Sequence, residues 1–204
     1  MDKSVEQPVT LSENWQAFVE KCKNCHACAL ADSRQHVVIW RGGVRAPLII
    51  LGEGPGADED RQGIPFVGRS GRLLDLLLTS FDLKPEDYHI CNIVKCRPPG
   101  NRVPTREEAA ACRPLLKEQM LFVRPAVYLL MGATAFRYFT GSEEGISKAR
   151  GIWTVSNTCH IMPTFHPAYV LRDPSKKIYL WKDMASVRQK LEELDLVGPL
   201  QRPS

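Results

Sequence analysis

Of the seven cysteines in this 204-residue chain, four have a spacing that could do chemistry. Cys25 and Cys28 form a C-x-x-C followed at once by Ala29-Leu30. Far downstream, Cys96 and Cys112 flank the stretch Arg97-Pro98-Pro99-Gly100-Asn101-Arg102-Val103-Pro104-Thr105. Thiolates bound to a metal or an iron–sulfur cluster persist in a reducing compartment, where disulfides do not. The compact double C-x-x-C of a zinc ribbon is not matched, because the second pair is widely split, and a lone C-x-x-C also fits a redox pair or coincidence. Cys22 stands three residues before Cys25, so two C-x-x-C pairs overlap. Cys91 and Cys159 read as small buried apolar residues.

A second chemical segment is the glycine-rich run from Gly52 to Gly71. Its start, Gly52-Glu53-Gly54-Pro55-Gly56-Ala57, matches G-x-G-x-x-A after an apolar strand, the pattern of a dinucleotide site. Two features count against that reading. The fingerprint needs a helix to begin within the glycines, whereas the helical pattern here starts near Gly71. Asp58, Glu59 and Asp60 would also repel a pyrophosphate.

Together with these segments, the strand end Asn92-Ile93-Val94-Lys95-Cys96-Arg97-Pro98-Pro99 and the segment Phe165-His166-Pro167-Ala168-Tyr169-Val170-Leu171 resemble the family 4 uracil-DNA glycosylases. The resemblance runs from about Cys25 to Leu194. It implies an iron–sulfur enzyme of base excision repair that hydrolyses the N-glycosidic bond of deoxyuridine in DNA and leaves an abasic site. It also implies a [4Fe-4S] cluster on Cys25, Cys28, Cys96 and Cys112. The family's leucine two residues after the second ligand matches Leu30, which selects Cys25 and Cys28 over Cys22.

The roles implied by the resemblance agree with the chemistry of the residues. A glycosylase must flip a nucleotide into a pocket, grip one base and stabilise its departing anion. A rigid Asn92 carboxamide accepts from uracil N3–H and donates to O4, the inverse of what cytosine offers. Phe66 would stack on the base. His166 would donate to O2 as charge builds there. Glu59 would line the pocket near C5. Gly54 stands where better-known superfamily members carry an aspartate, which shifts the burden to His166 and to backbone donors from Gly54 to Gly56. Arg69, Lys148, Arg150 and Arg172 are the expected DNA contacts, in a basic set that also includes Lys95 and Arg97. Leu171 resembles the wedge that fills the space left by the flipped base. The expected partner is uracil-containing DNA, single- or double-stranded, met by a cytoplasmic monomer.

Two rivals belong to other classes. A DNA-trapping relative carries an extra basic, His-containing loop after Phe-Val-Gly, but here Gly68-Arg69-Ser70-Gly71-Arg72-Leu73 passes straight into a helix. A zinc-stabilised binding module would use the same thiolates, and colour separates it from a cluster protein.

The elements that must position these residues follow from periodicity. Ser12 is the expected cap of a helix from Glu13 to about Lys23. Apolar strands are expected at 46–51, 88–94 and 126–131, and a hairpin at 153–155 and 160–164. Helices are expected at about 71–80, from Thr105 to about Phe122, from Gly132, and at about 178–194. Alternating strands and helices predict a three-layer α/β/α sandwich around a mostly parallel sheet, uracil-DNA glycosylase-like, in one domain spanning 1–204. Residues 1–10 and 197–204 are the expected flexible ends. The polar start lacks an apolar h-region, and no apolar run is long enough to cross a bilayer. The net charge of +4 permits nucleic-acid binding without demanding it.

Overall fold

The computed structural model describes residues 11–156 and 159–200. Residues 1–10 and 201–204 of the expected flexible ends lie outside this range. The nearer part of the C-terminal end is tied down, since Arg188 donates to the Gly198 carbonyl and the Leu200 amide donates to Glu192.

In chain order the elements are α1 (Leu11–Lys23), β1 (Arg41–Gly42), β2 (Leu48–Gly52), α2 (Ala57–Gln62), α3 (Arg69–Ser80), β3 (Tyr88–Asn92), α4 (Arg106–Val123), β4 (Val127–Met131), α5 (Ala133–Thr140), α6 (Ile146–Ala149), β5 (Thr154–Ser156), β6 (Cys159–Thr164), α7 (Pro167–Arg172) and α8 (Lys177–Glu193). The sheet order is β1-β3-β2-β4-β6-β5. The four inner strands are parallel, and β1 and β5 close the edges antiparallel.

Strands β2, β3 and β4 are buried along their whole length, as strands covered on both faces must be. Side chains alternate between two cores. Leu48, Ile50, Leu129 and Met131 meet α3, α7 and α8 on one face. Ile49, Leu51, Cys91 and Leu130 meet α4 and α5 on the other. Trp15, Phe18 and Cys22 of α1 pack outside α4 against Leu115. The expected sandwich is therefore the observed fold.

Three local readings change. Ser12 lies within α1 rather than capping it. The stretch from Gly52 to Gly71 is not all loop, because α2 begins directly after Gly56. In the expected helix at 71–80, Leu74, Leu77 and Leu78 face the core, but Leu76 points to solvent. Thr105 does cap α4: it accepts from the Glu108 amide, while the Glu108 carboxylate accepts from the Thr105 amide.

The order of the inner strands places a topological switch between β2 and β4, whose following loops diverge. In open α/β sheets ligands bind at the carboxyl ends of strands beside such a switch.

Candidate active site

A cavity of about 720 Å³ opens at that place. Its wall is supplied by the loops after all four parallel strands: Glu53–Gly56, Glu59 and Phe66 after β2; Asn92 and Pro98–Val103 segments after β3; Gly132–Thr134 after β4; and Phe165–His166 after β6. Four widely spaced motifs of the sequence thus converge on one chamber.

Asn92 ends β3 and is only 2% exposed. Its carboxamide lines the cavity and makes no hydrogen bond to protein among the described residues. A carboxamide with no protein partner at a cavity wall keeps both its donor and its acceptor for a ligand. Backbone close approach makes room for it: a Cβ on Gly52 would meet Asn92 Oδ1 at 2.4 Å and the Phe66 ring at 2.7 Å.

Phe66 is buried with a left-handed φ of 56° and lies nearly parallel to the His166 ring, centroids 5.5 Å apart. That backbone conformation is uncommon for a bulky residue, and the surrounding contacts hold it. Gly71 passes so close that a Cβ there would overlap the Phe66 carbonyl.

His166 is the N-cap of α7, and its Nδ1 accepts from the Ala168 amide at 3.1 Å. Nδ1 is therefore the acceptor nitrogen, so the neutral ring carries its proton on Nε2. Burial, reinforced by the charge of Arg172, pulls its pKa down to about 4. The result is a neutral imidazole with one N–H left over, at a cavity wall. His89 is held down to about 4 as well, chiefly by burial, but both of its nitrogens are used, one by the Gly43 carbonyl and one by Gln119. It is a structural histidine.

Glu59 does line the cavity, but its oxygens are saturated. Oε1 accepts from the amides of Val67 and Gly68, and Oε2 accepts from Gly56. The carboxylate fastens the Phe66 loop to the first turn of α2 and occupies the helix N-terminus that a pyrophosphate would need. The dinucleotide reading fails for this reason, and not, as expected, because no helix starts there. The same bond consumes the Gly56 amide, which was expected as a free backbone donor. Gly54 lines the wall where a Cβ would meet Val94 at 2.8 Å.

Glu53 was passed over in the sequence. It lines the same wall, and among the described residues its carboxylate has no protein partner. The available signal was its place between two glycines at a strand end. Arg102 also lines the cavity and is paired twice with Glu108.

The expected DNA contacts divide. Arg69 and Lys148 are exposed near the mouth, and Arg172 reaches the cavity itself. Arg150 is engaged within the protein: half-buried, it forms a two-pronged pair with Asp183, which also accepts from Thr164, and its guanidinium lies over Tyr179. Lys95 is buried. Leu171 is only half-buried, whereas Tyr169 is the exposed apolar side chain of α7 on the cavity wall.

Beneath the loop after β3 lies a second chamber, lined by Cys22, Cys25, Cys28, Cys96 and Cys112 with Arg34 and Lys95. The four predicted ligands are thus brought together, and Cys22 with them. Among the described residues no three His, Cys, Asp or Glu side chains converge as one metal ion requires. Burial pushes the Cys96 thiol up to about 11, against the hydrogen bond from Arg34, and Cys22 up to about 12. Cys112 is raised by burial and lowered by the charge of Lys95. Such thiols keep their protons in water and give them up to solvent only when a metal takes their place.

A family model of the uracil DNA glycosylase superfamily matches residues 39–192. The type-4 uracil-DNA glycosylase of Thermotoga maritima is 43% identical over 173 residues, covering 83% of this chain and 89% of that protein. The chain is a type-4 member of the uracil-DNA glycosylase superfamily. Type-4 uracil-DNA glycosylases of Saccharolobus solfataricus (34% identical, 88% of this chain, 87% of that one) and Archaeoglobus fulgidus (36%, 79% and 85%) agree. The superfamily match begins beyond Cys25 and Cys28 but spans Cys96, Cys112 and every pocket residue described above.

Proposed function

We propose that this glycosylase pocket excises uracil from DNA by hydrolysis of the N-glycosidic bond. The observation that carries this reading is the pairing of an unsatisfied Asn92 carboxamide with a neutral His166 whose Nε2–H is free.

A flipped base would stack on Phe66, with Asn92 reading its N3–H and O4 edge. As the C1′–N1 bond breaks, its electron pair stays with uracil and the sugar becomes oxocarbenium-like. The charge gathering on O2 is met by the His166 donor, already oriented through Nδ1 by Ala168. A neutral donor suits the step, since it strengthens with the developing charge and needs no proton of its own back. Water then bonds to C1′ through oxygen, its proton goes to the base, and uracil leaves an abasic sugar. Glu53 is the lining carboxylate free to orient that water, because Glu59 is fully engaged. Arg69, Lys148 and Arg172 would hold phosphates around the mouth.

The cysteine chamber fits a [4Fe-4S] cluster on Cys25, Cys28, Cys96 and Cys112. Its available donors are cysteine thiols, which line one chamber together. When bound, the cluster supplies a rigid cross-link between the segment after α1, the loop after β3 and α4. The thiols suit a reducing compartment such as the cytoplasm, and the chain's own residues complete the pocket without a second copy.

The test is incubation with an oligonucleotide carrying one deoxyuridine, followed by alkali: a strand break at that position is expected, together with brown colour and iron. A colourless, zinc-containing protein would favour a zinc-stabilised binding module.

A further inference from the structure

Lys95 is 1% exposed and among the largest fully buried side chains of the molecule. Its backbone carbonyl accepts from the Val38 amide at 2.8 Å, which fixes the residue at the end of the strand extension. The side chain turns inward and lines the cysteine chamber. There the ammonium donates to the Asn92 carbonyl at 3.0 Å, and among the described residues no carboxylate pairs with it.

A buried ammonium is strongly unfavourable unless an anion and hydrogen-bond acceptors surround it. One backbone carbonyl does not meet that requirement. What else lines its chamber is sulfur: Cys22, Cys25, Cys28, Cys96 and Cys112. Four of these become anionic when they bind a cluster, and Lys95 is then the cation beside them. Its other contact is with the residue whose side chain faces the base. One side chain therefore joins the cysteine chamber to the backbone of a base-pocket residue.

We propose that Lys95 is a positioning residue which, held by the charge of the ligated cysteines, clamps the Asn92 backbone and so fixes the base-reading carboxamide. The inference rests on reading the pocket as a uracil site and the second chamber as a cluster site. The ammonium has two separable jobs, a charge toward the thiolates and a donor toward Asn92. Lys95→Met removes both. Lys95→Gln removes the charge and keeps an N–H donor, on a side chain one bond shorter.

The experiment uses the full chain as purified with its iron. Three quantities are read: the rate of iron loss to a chelator, followed by visible absorbance; the single-turnover rate of uracil release at matched iron content; and affinity for uracil-containing DNA. Loss of a residue supporting metal ligands typically costs about 10–100-fold in metal retention or activity. Both variants should lose iron faster by that order. Lys95→Met should also release uracil about 10-fold or more slowly, with DNA affinity little changed, while Lys95→Gln stays near the native rate. Native iron retention in Lys95→Gln would overturn the charge role, and equal uracil rates in the two variants would overturn the clamp. If Lys95→Met does not fold, Lys95→Gln carries the test, with slow uracil release counting against the clamp. A native chain without iron or without uracil release would instead overturn the functional reading beneath the proposal.

Discussion

The base pocket and the cysteine chamber lie four residues apart in sequence, at Asn92 and Cys96, yet they handle polar groups in opposite ways. In the pocket, the side chains assigned to chemistry keep unused capacity: the Asn92 amide, the Nε2–H of His166 and the carboxylate of Glu53. Their neighbours Glu59 and Arg102 are engaged by hydrogen bonds within the protein and hold the wall in shape. In the chamber, five cysteines line one space together with the cations Lys95 and Arg34, and Arg34 donates to the Cys96 sulfur. A region built for a transient ligand leaves bonds open, and a region built for a permanent one arranges charge around it. The two glutamates of the Gly52–Gly71 segment repeat the contrast within one loop.

The largest effect is expected in the chamber. Cys96→Ala or Cys112→Ala should lose iron and soluble protein together, because metal binding is coupled to folding. Cys22→Ala should keep both, since α1 buries Cys22 against Trp15 and Phe18. Iron analysis of the soluble fraction checks this, and the reverse pattern would move the ligand set to Cys22.

In the pocket, His166→Ala should slow single-turnover uracil release by roughly two to three powers of ten, the usual effect of removing a donor to a developing anion. DNA binding should change much less. The pH profile sharpens the point. With its pKa near 4, His166 stays neutral through the physiological range, so no limb near the ordinary histidine value of about 6.5 should arise from it. Stability carries the same signature. Unfolded histidine binds a proton near 6.5, whereas folded His166 and His89 resist until about 4. Their contribution is therefore complete above about pH 6.5 and is lost as pH falls toward 4, where denaturant melts should show it.

Glu53→Gln should lower the single-turnover rate by about two powers of ten if its carboxylate orients water. Glu59→Gln should act chiefly on stability, because its bonds are to backbone amides. Equal kinetic losses in the two would erase the distinction between free and saturated carboxylates.

Much of this arrangement was legible beforehand. The apolar runs of β2, β3 and β4 declared a buried parallel sheet, and Thr105 with Glu108 declared the start of α4. The cysteine spacing and the Asn92, Phe66 and His166 segments pointed to two sites whose members do converge. What stayed hidden depended on tertiary partners. Nothing local distinguishes Arg150 from Arg69; only the fold brings Asp183 beneath Arg150. Lys95 looks like a surface base in sequence because its burial is set by the turn after β3. The short α2 was masked by Pro55 and an acidic run, which became its favourable first turn instead.

The smallest functional effect follows from that correction. Arg150→Ala should destabilise the fold by about 3–5 kcal/mol, by leaving Asp183 buried and unpaired, with little change in DNA affinity. Arg69→Ala should do the opposite, reducing the salt dependence of binding by about one unit and leaving the melting temperature alone.

The most direct measurement is a product balance under single-turnover conditions, counting free uracil and abasic sites from an oligonucleotide with one deoxyuridine beside matched deoxycytidine and thymidine controls. Equal amounts of uracil and abasic site, from the deoxyuridine strand alone, are the predicted result. Tight binding of that strand by the iron-loaded protein without release of base, or release of cytosine at a comparable rate, would contradict the account.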